Sequence, residues 1–236
     1  MISPDQRHST PPHAARGARS ARLRSLATTI AFAFTIGASC SAQAGAQAEE
    51  QLAPSVATLL SQAISDSPVP SRYADSILVR TWLKAMSPRL AKRLPDPNER
   101  DDFLATVHYE ATRAGLDPQL VLSVIQHESG FKKYAVSPVG ARGFLQVMPF
   151  WTKLIGSTGH NLFHLRTNLR YGCVILRHYL DIERGDLFRA LGRYNGSLGR
   201  AEYPDAVLAN YSRFWQYTPE QPSAPLGALA VQSALH

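Results

Sequence analysis

Residues 117–130 read D-P-Q-L-V-L-S-V-I-Q-H-E-S-G. Asp117 as an acidic N-cap with Pro118 in the first turn starts a helix in the favoured way, and Gly130 stops it. Val121, Val124 and Ile125 form its apolar face. A helix advances about 100° per residue, so Glu128 falls within roughly 60° of those three side chains. A carboxyl is thus carried on the inward face, one turn from the helix end. Desolvation and the negative end of the helix macrodipole both raise its pKa. A carboxyl kept protonated near neutral pH is what a general acid needs. A purely structural Glu128 would instead pair with an arginine such as Arg142 or Arg193, or turn to solvent at a frayed end.

The same helical grammar runs outward on both sides. Upstream, a short helix is expected at 55–64. Ile77, Leu78, Trp82, Met86 and Leu90 then recur at helical spacing up to Arg93, interrupted by Pro88. Pro95-Asp96-Pro97-Asn98 caps a helix over 99–114 that ends at Gly115. Downstream, helices are expected at 149–155, 168–182, 186–193 with Asp186 as N-cap, and 204–215. Strand patterns are nearly absent, apart from one short hairpin at 137–147. The fold class read from this pattern is mostly α. The expected domains are a signal peptide at 1–44, a helical extension at 45–98, a core domain at 99–217 and a flexible tail at 218–236.

The chain has 236 residues, 44% hydrophobic and 18% charged, so it can bury a core and is not disordered throughout. Its two cysteines exclude a disulfide-stapled miniprotein. The formal charge of +7 is mostly a leader effect, because Arg7, Arg16, Arg19, Arg22 and Arg24 face one acid, Asp5, in the first 44 residues. Leu26 to Ala38 is an uncharged core too short to span a bilayer comfortably, and Ala42-Gln43-Ala44, with Ala46-Gln47-Ala48 as a second candidate, fits the cleavage pattern of a secretory signal, the alternative being an uncleaved membrane anchor. Lipoprotein processing at Cys40 is disfavoured by Gly37, where a bulky aliphatic residue belongs. The expected location is therefore exported and periplasmic.

Beyond Glu128-Ser129-Gly130-Phe131 come Gly140-Ala141-Arg142-Gly143-Phe144-Leu145-Gln146-Val147-Met148-Pro149, then Asn168-Leu169 with Gly172, then Tyr194-Asn195-Gly196. This order and spacing resembles the soluble lytic transglycosylase (SLT) domain family, goose-lysozyme-like enzymes that cleave peptidoglycan. The family's signatures are E-S, then G-L-M-Q, then A-Y-N, and the resemblance covers roughly 103–217. It implies a lysozyme-like helical domain with at most a short β-hairpin, preceded by accessory helices. It implies Glu128 as the single acid/base, with Ser129, Gln146, Met148, Tyr194 and Asn195 binding the saccharide. Phe144-Leu145 departs from Leu-Met, Arg193 replaces the small residue before Tyr194, and Gly196-Ser197-Leu198-Gly199 departs from A-G-P-G.

Hydrolysing glycosidases usually use two carboxylates. Motif position supplies Glu128 alone, since Glu110, Asp117, Asp186, Glu202 and Asp205 read as surface or cap residues. One carboxyl suffices where the substrate provides the nucleophile. Glu128 would protonate the oxygen between N-acetylmuramic acid and N-acetylglucosamine, and the acetamido group would stabilise the resulting cation. Glu128, now a base, would deprotonate the muramoyl C6 hydroxyl, which closes a 1,6-anhydro ring. A second carboxylate from Glu202 or Asp205 would favour hydrolysis instead. Two alternatives stay open: a hydrolytic muramidase, and a non-catalytic peptidoglycan-binding or secretion-apparatus assembly protein.

No metal or cofactor is expected. His160 and His164 stand at i, i+4 but lack the glutamate of H-E-x-x-H, and read as surface residues. Cys173, on an apolar helix, reads as core, and so do most of Tyr203, Tyr211, Phe214 and Trp215, although any of them could stack on a sugar. The expected partner is the glycan strand of peptidoglycan, met by a monomer, with cell-wall or secretion machinery as a further partner. Export, and the lack of a basic helix interleaved with aromatics, argue against nucleic acid.

Overall fold

The computed structural model describes residues 47–65, 70 and 72–218, all within one compact unit. The signal peptide expected at 1–44 and nearly all of the tail expected at 218–236 lie outside the described residues. Eight α-helices follow in order: α1 (Pro54–Ile64), α2 (Ile77–Leu90), α3 (Pro97–Arg113), α4 (Pro118–Glu128), α5 (Phe150–Ile155), α6 (Leu165–Ile182), α7 (Leu187–Asn195) and α8 (Glu202–Asn210). The fold is mostly helical.

The starts are set by the residues that the sequence singles out. Asp96 accepts from the Asn98 and Glu99 amides, Asp117 from Gln119, and Asp186 from Arg189, each satisfying orphan donors of a first turn. Two of the boundary differences have a clear local cause. α6 begins at Leu165, because Asn161 and His164 build the preceding turn and the Asn168 amide already bonds the His164 carbonyl. The helix expected at 204–215 ends at Asn210 and continues as a π-turn, Tyr211–Trp215, which lets Trp215 reach full burial. α2 runs through Pro88 in its last turn, where the ring removes one i→i−4 hydrogen bond and only two helical residues follow.

α4 is the central rod. Leu120, Val121, Leu122, Ser123, Val124, Ile125 and Glu128 are all buried on it, against α3, α8 and the π-turn. Side-chain hydrogen bonds lock it in place: the Trp82 indole donates to Gln119 at 3.0 Å and the Trp215 indole to Gln126 at 2.9 Å. The hairpin expected at 137–147 is reduced to isolated antiparallel bridges, Val136 with Arg142 and Arg142 with Val147.

Glu110 overturns its surface assignment. It is 1% exposed and takes a bidentate pair from Arg170 of α6, at 2.7 and 3.1 Å. Helical spacing hid this because the partner is remote in sequence. The same cations fasten α1: Arg170 donates to the Ser65 carbonyl at 3.0 Å, and Arg113 to the Ala63 carbonyl at 2.7 Å. Removing one member of a buried pair leaves an uncompensated charge, which costs about 3–5 kcal/mol. Glu110→Ala is therefore expected to lower stability by that order in urea unfolding.

Candidate active site

Glu128 closes α4 and is 6% exposed. Its Oε1 accepts a 2.6 Å hydrogen bond from the Tyr203 hydroxyl, and its Oε2 is buried without a partner. Neither arginine considered for it is engaged there. Arg193 pairs with Glu183 and Glu50, while Arg142 lies over the Phe163 ring. Burial pushes the Glu128 pKa up to about 8, with the Tyr203 bond opposing it. Desolvation dominates because one hydrogen bond cannot replace the hydration of a carboxylate.

Tyr203, one of four aromatics read from sequence as mostly core, is the residue that reaches the carboxyl. It is 4% exposed, and His127 meets its ring edge-on at 4.8 Å. Its spacing to Val207 announces burial; nothing in the sequence announces that the hydroxyl would find Glu128. Burial, and then the Glu128 carboxylate, raise the pKa of Tyr203 well above its ordinary value, so it is a firm donor.

Ser129 caps the helix. Its hydroxyl donates to the Ile125 carbonyl at 3.1 Å and accepts from the Phe131 amide at 3.2 Å. Phe131 takes φ +69° and packs against Phe103 and Trp215. Gln146 is 2% exposed at φ +47°, with its amide donating to the Gly143 carbonyl at 2.8 Å and the Ala135 carbonyl at 3.1 Å. Met148 is half-buried. Tyr194 is fully buried, its hydroxyl donating to the Leu145 carbonyl at 2.7 Å, and the Glu128 charge helps to raise its pKa after burial itself. Asn195 ends α7; its Nδ2 donates to Ser197 at 3.1 Å, and its Oδ1 is buried without a partner.

One residue holds the Gln146 loop. Asn168, 0% exposed, accepts from the Leu145 amide and donates to the Arg142 and Leu162 carbonyls, each at 2.8 Å. Gly143 at φ +75° completes the fit, for a Cβ there would strike the Asn168 amide and come within 2.6 Å of the Leu162 carbonyl. Glu202 and Asp205 are exposed, as are His160 and His164, with His160 bonding Tyr171 at 2.7 Å. Cys173 is buried and its thiol is pushed well up by burial.

Residues 105–206 match the family model of the transglycosylase SLT domain. The chain carries an SLT-like domain over that stretch. It is 35% identical over 112 residues to a transglycosylase of Enterobacteria phage PRD1, covering 44% of this chain and 41% of that one. It is 34% identical over 64 residues to a membrane-bound lytic murein transglycosylase C of Mannheimia succiniciproducens, covering 27% of this chain and 16% of that one. The chain thus spans less than half the length of these relatives. A solved lytic transglycosylase Slt from Pseudomonas aeruginosa, an inactive variant, aligns over 69% of this chain and 34% of its own at 20% identity and TM-score 0.38. Among the described residues, no helix is long and apolar enough to cross a membrane.

A Glu128 pKa near 8 in the folded chain, against an ordinary 4.5, means that the native state holds a proton that the unfolded state releases across that interval. Glu128 thus favours folding below pH 4.5 and loses that contribution as pH rises through 8. Glu128→Gln is expected to be the more stable form at pH 8, by roughly 4 kcal/mol, with the gap closing toward pH 4.5, as urea melts across pH will read. Tyr203→Phe removes a bond that favours the charged form, so carboxyl-resolved NMR titration should place the Glu128 pKa higher still.

Proposed function

We propose that this protein is a murein lytic transglycosylase, with Glu128 as its single acid and base. The reading is carried by one observation: a dry carboxyl, protonated at neutral pH, with one oxygen fixed by Tyr203 and the other unpartnered. Names among its relatives, lytic murein transglycosylase above all, support peptidoglycan as the substrate.

In this mechanism Glu128 gives its proton to the glycosidic oxygen between N-acetylmuramic acid and N-acetylglucosamine, and the C1–O bond breaks. The muramoyl acetamido oxygen shields the cation at C1. Glu128, now ionised and held by Tyr203, takes the proton of the C6 hydroxyl, whose oxygen bonds to C1. The product ends are 1,6-anhydro and no water is consumed. A lone carboxyl fits the other acids in the domain: Glu110 is neutralised by Arg170, Glu183 by Arg189 and Arg193, and Glu202 and Asp205 face solvent. Ser129 and Gln146 shape the wall through the backbone, while Met148 and Asn195 meet the sugar. The substrate lies outside the cytoplasm, and so does the protein's place of action.

Loss of a general acid removes about 10²–10⁴-fold in rate. Glu128→Gln should abolish clearing of purified sacculi to that degree, and wild-type activity should fall as pH rises through about 8. Mass spectrometry of the digest should show anhydromuramoyl ends. Hydrated ends would identify a muramidase, and undiminished clearing by Glu128→Gln would remove the carboxyl from the chemistry.

A further inference from the structure

Gln47 lies outside the SLT match and outside every helix, yet it is 4% exposed. Its carboxamide is seated on three groups. Oε1 accepts from the Trp151 indole N–H at 3.1 Å and the Met148 amide at 3.3 Å, and Nε2 donates to the Gln146 carbonyl at 3.5 Å. A side chain from a distant segment thus caps the main chain of Gln146 and Met148, the wall and a sugar-facing residue of the mechanism above.

The seat has the polarity of an amide receptor: two N–H donors converge on one oxygen, and one carbonyl faces the nitrogen. A carboxamide fills it, and so would the 2-acetamido group of an N-acetylated amino sugar, which offers the same planar C=O and N–H. The occupant is lightly held. Two of its three bonds lie at the long end of the hydrogen-bond range. The nearby ion pair of Glu50 with Arg193, 3.2 Å long, is partly exposed and contributes little.

We propose that residues 47–50 form a strap in which Gln47 imitates a sugar acetamido group, so that a glycan binds by displacing it. The ligand class rests on the murein reading above. A site closed by its own chain binds ligand more weakly in proportion to the open fraction, so freeing it must tighten binding.

The test uses Glu128→Gln, which separates binding from turnover, and tri-N-acetylchitotriose as the calorimetric probe. Adding Gln47→Ala, or separately Glu50→Lys to loosen the strap from outside the buried seat, should tighten binding about five-fold or more. Cellotriose, the same pyranoses without acetamido groups, should gain nothing. Unchanged or weaker chitotriose binding in both variants, an equal gain for cellotriose, or no chitotriose binding at all would overturn the strap. Sacculus clearing keeps the two readings apart. Clearing lost in Glu128→Gln with no gain in binding leaves the enzyme and sinks the strap; tightened binding with clearing intact does the reverse.

Discussion

A carboxyl whose one oxygen is bonded to Tyr203 and whose other oxygen meets no donor can stay in the interior of a protein only at a cost, and the cost is least when it carries a proton. The surrounding architecture follows from meeting that condition. α4 must be buried on nearly every side to bring the carboxyl out of water, so α3, α8 and the π-turn close around it. The helix must also stop immediately after Glu128. Ser129 bonds the Ile125 carbonyl through both amide and hydroxyl, and the chain then turns through the left-handed conformations of Gly130 and Phe131. Phe131 then plugs the helix end against Phe103 and Trp215, under the Arg93 guanidinium.

The opposite wall is a loop with little regular structure, and it depends on a side chain for the bonds that a sheet would have supplied. Asn168 serves three backbone groups of residues 142, 145 and 162. Small residues permit the fit on both sides: Gly143 in the loop leaves room for the Asn168 amide, and Gly172 on α6 for the Leu145 side chain. Gln146 holds a positive φ because its own amide closes onto the Gly143 and Ala135 carbonyls. A backbone so tied presents fixed N–H and C=O groups to whatever lies against it, at small entropic cost.

Helices were legible because their signals are local. Asp96, Asp117 and Asp186 act on amides two or three residues away, and the apolar period of 121–125 placed Glu128 on the buried face. Motif order marked Gln146 and Tyr194, both buried beside the site. Contacts that join distant segments were not legible. Glu110 with Arg170, Tyr203 with Glu128, and Gln47 with Trp151 are 60, 75 and 104 residues apart, and no periodicity reports a partner at that separation. The short hairpin reduced to bridges because local turn bonds, joined by the Asn168 clamp, satisfy its backbone in place of a long strand ladder.

The grip on α1 sets how far anything ahead of it can travel. Arg113 and Arg170 hold the carbonyls at the end of that helix, and Leu60 and Ile64 are sunk in the core. Residues 47–53 therefore stay tethered a few residues from their resting place even when they lift away. Such a tethered group keeps a local concentration that dilution cannot reduce. Any soluble molecule competing for the same ground meets a rival whose presence is independent of how much protein is in the tube, whereas a polymer, with many repeating units along one strand, brings a matching multiplicity of its own.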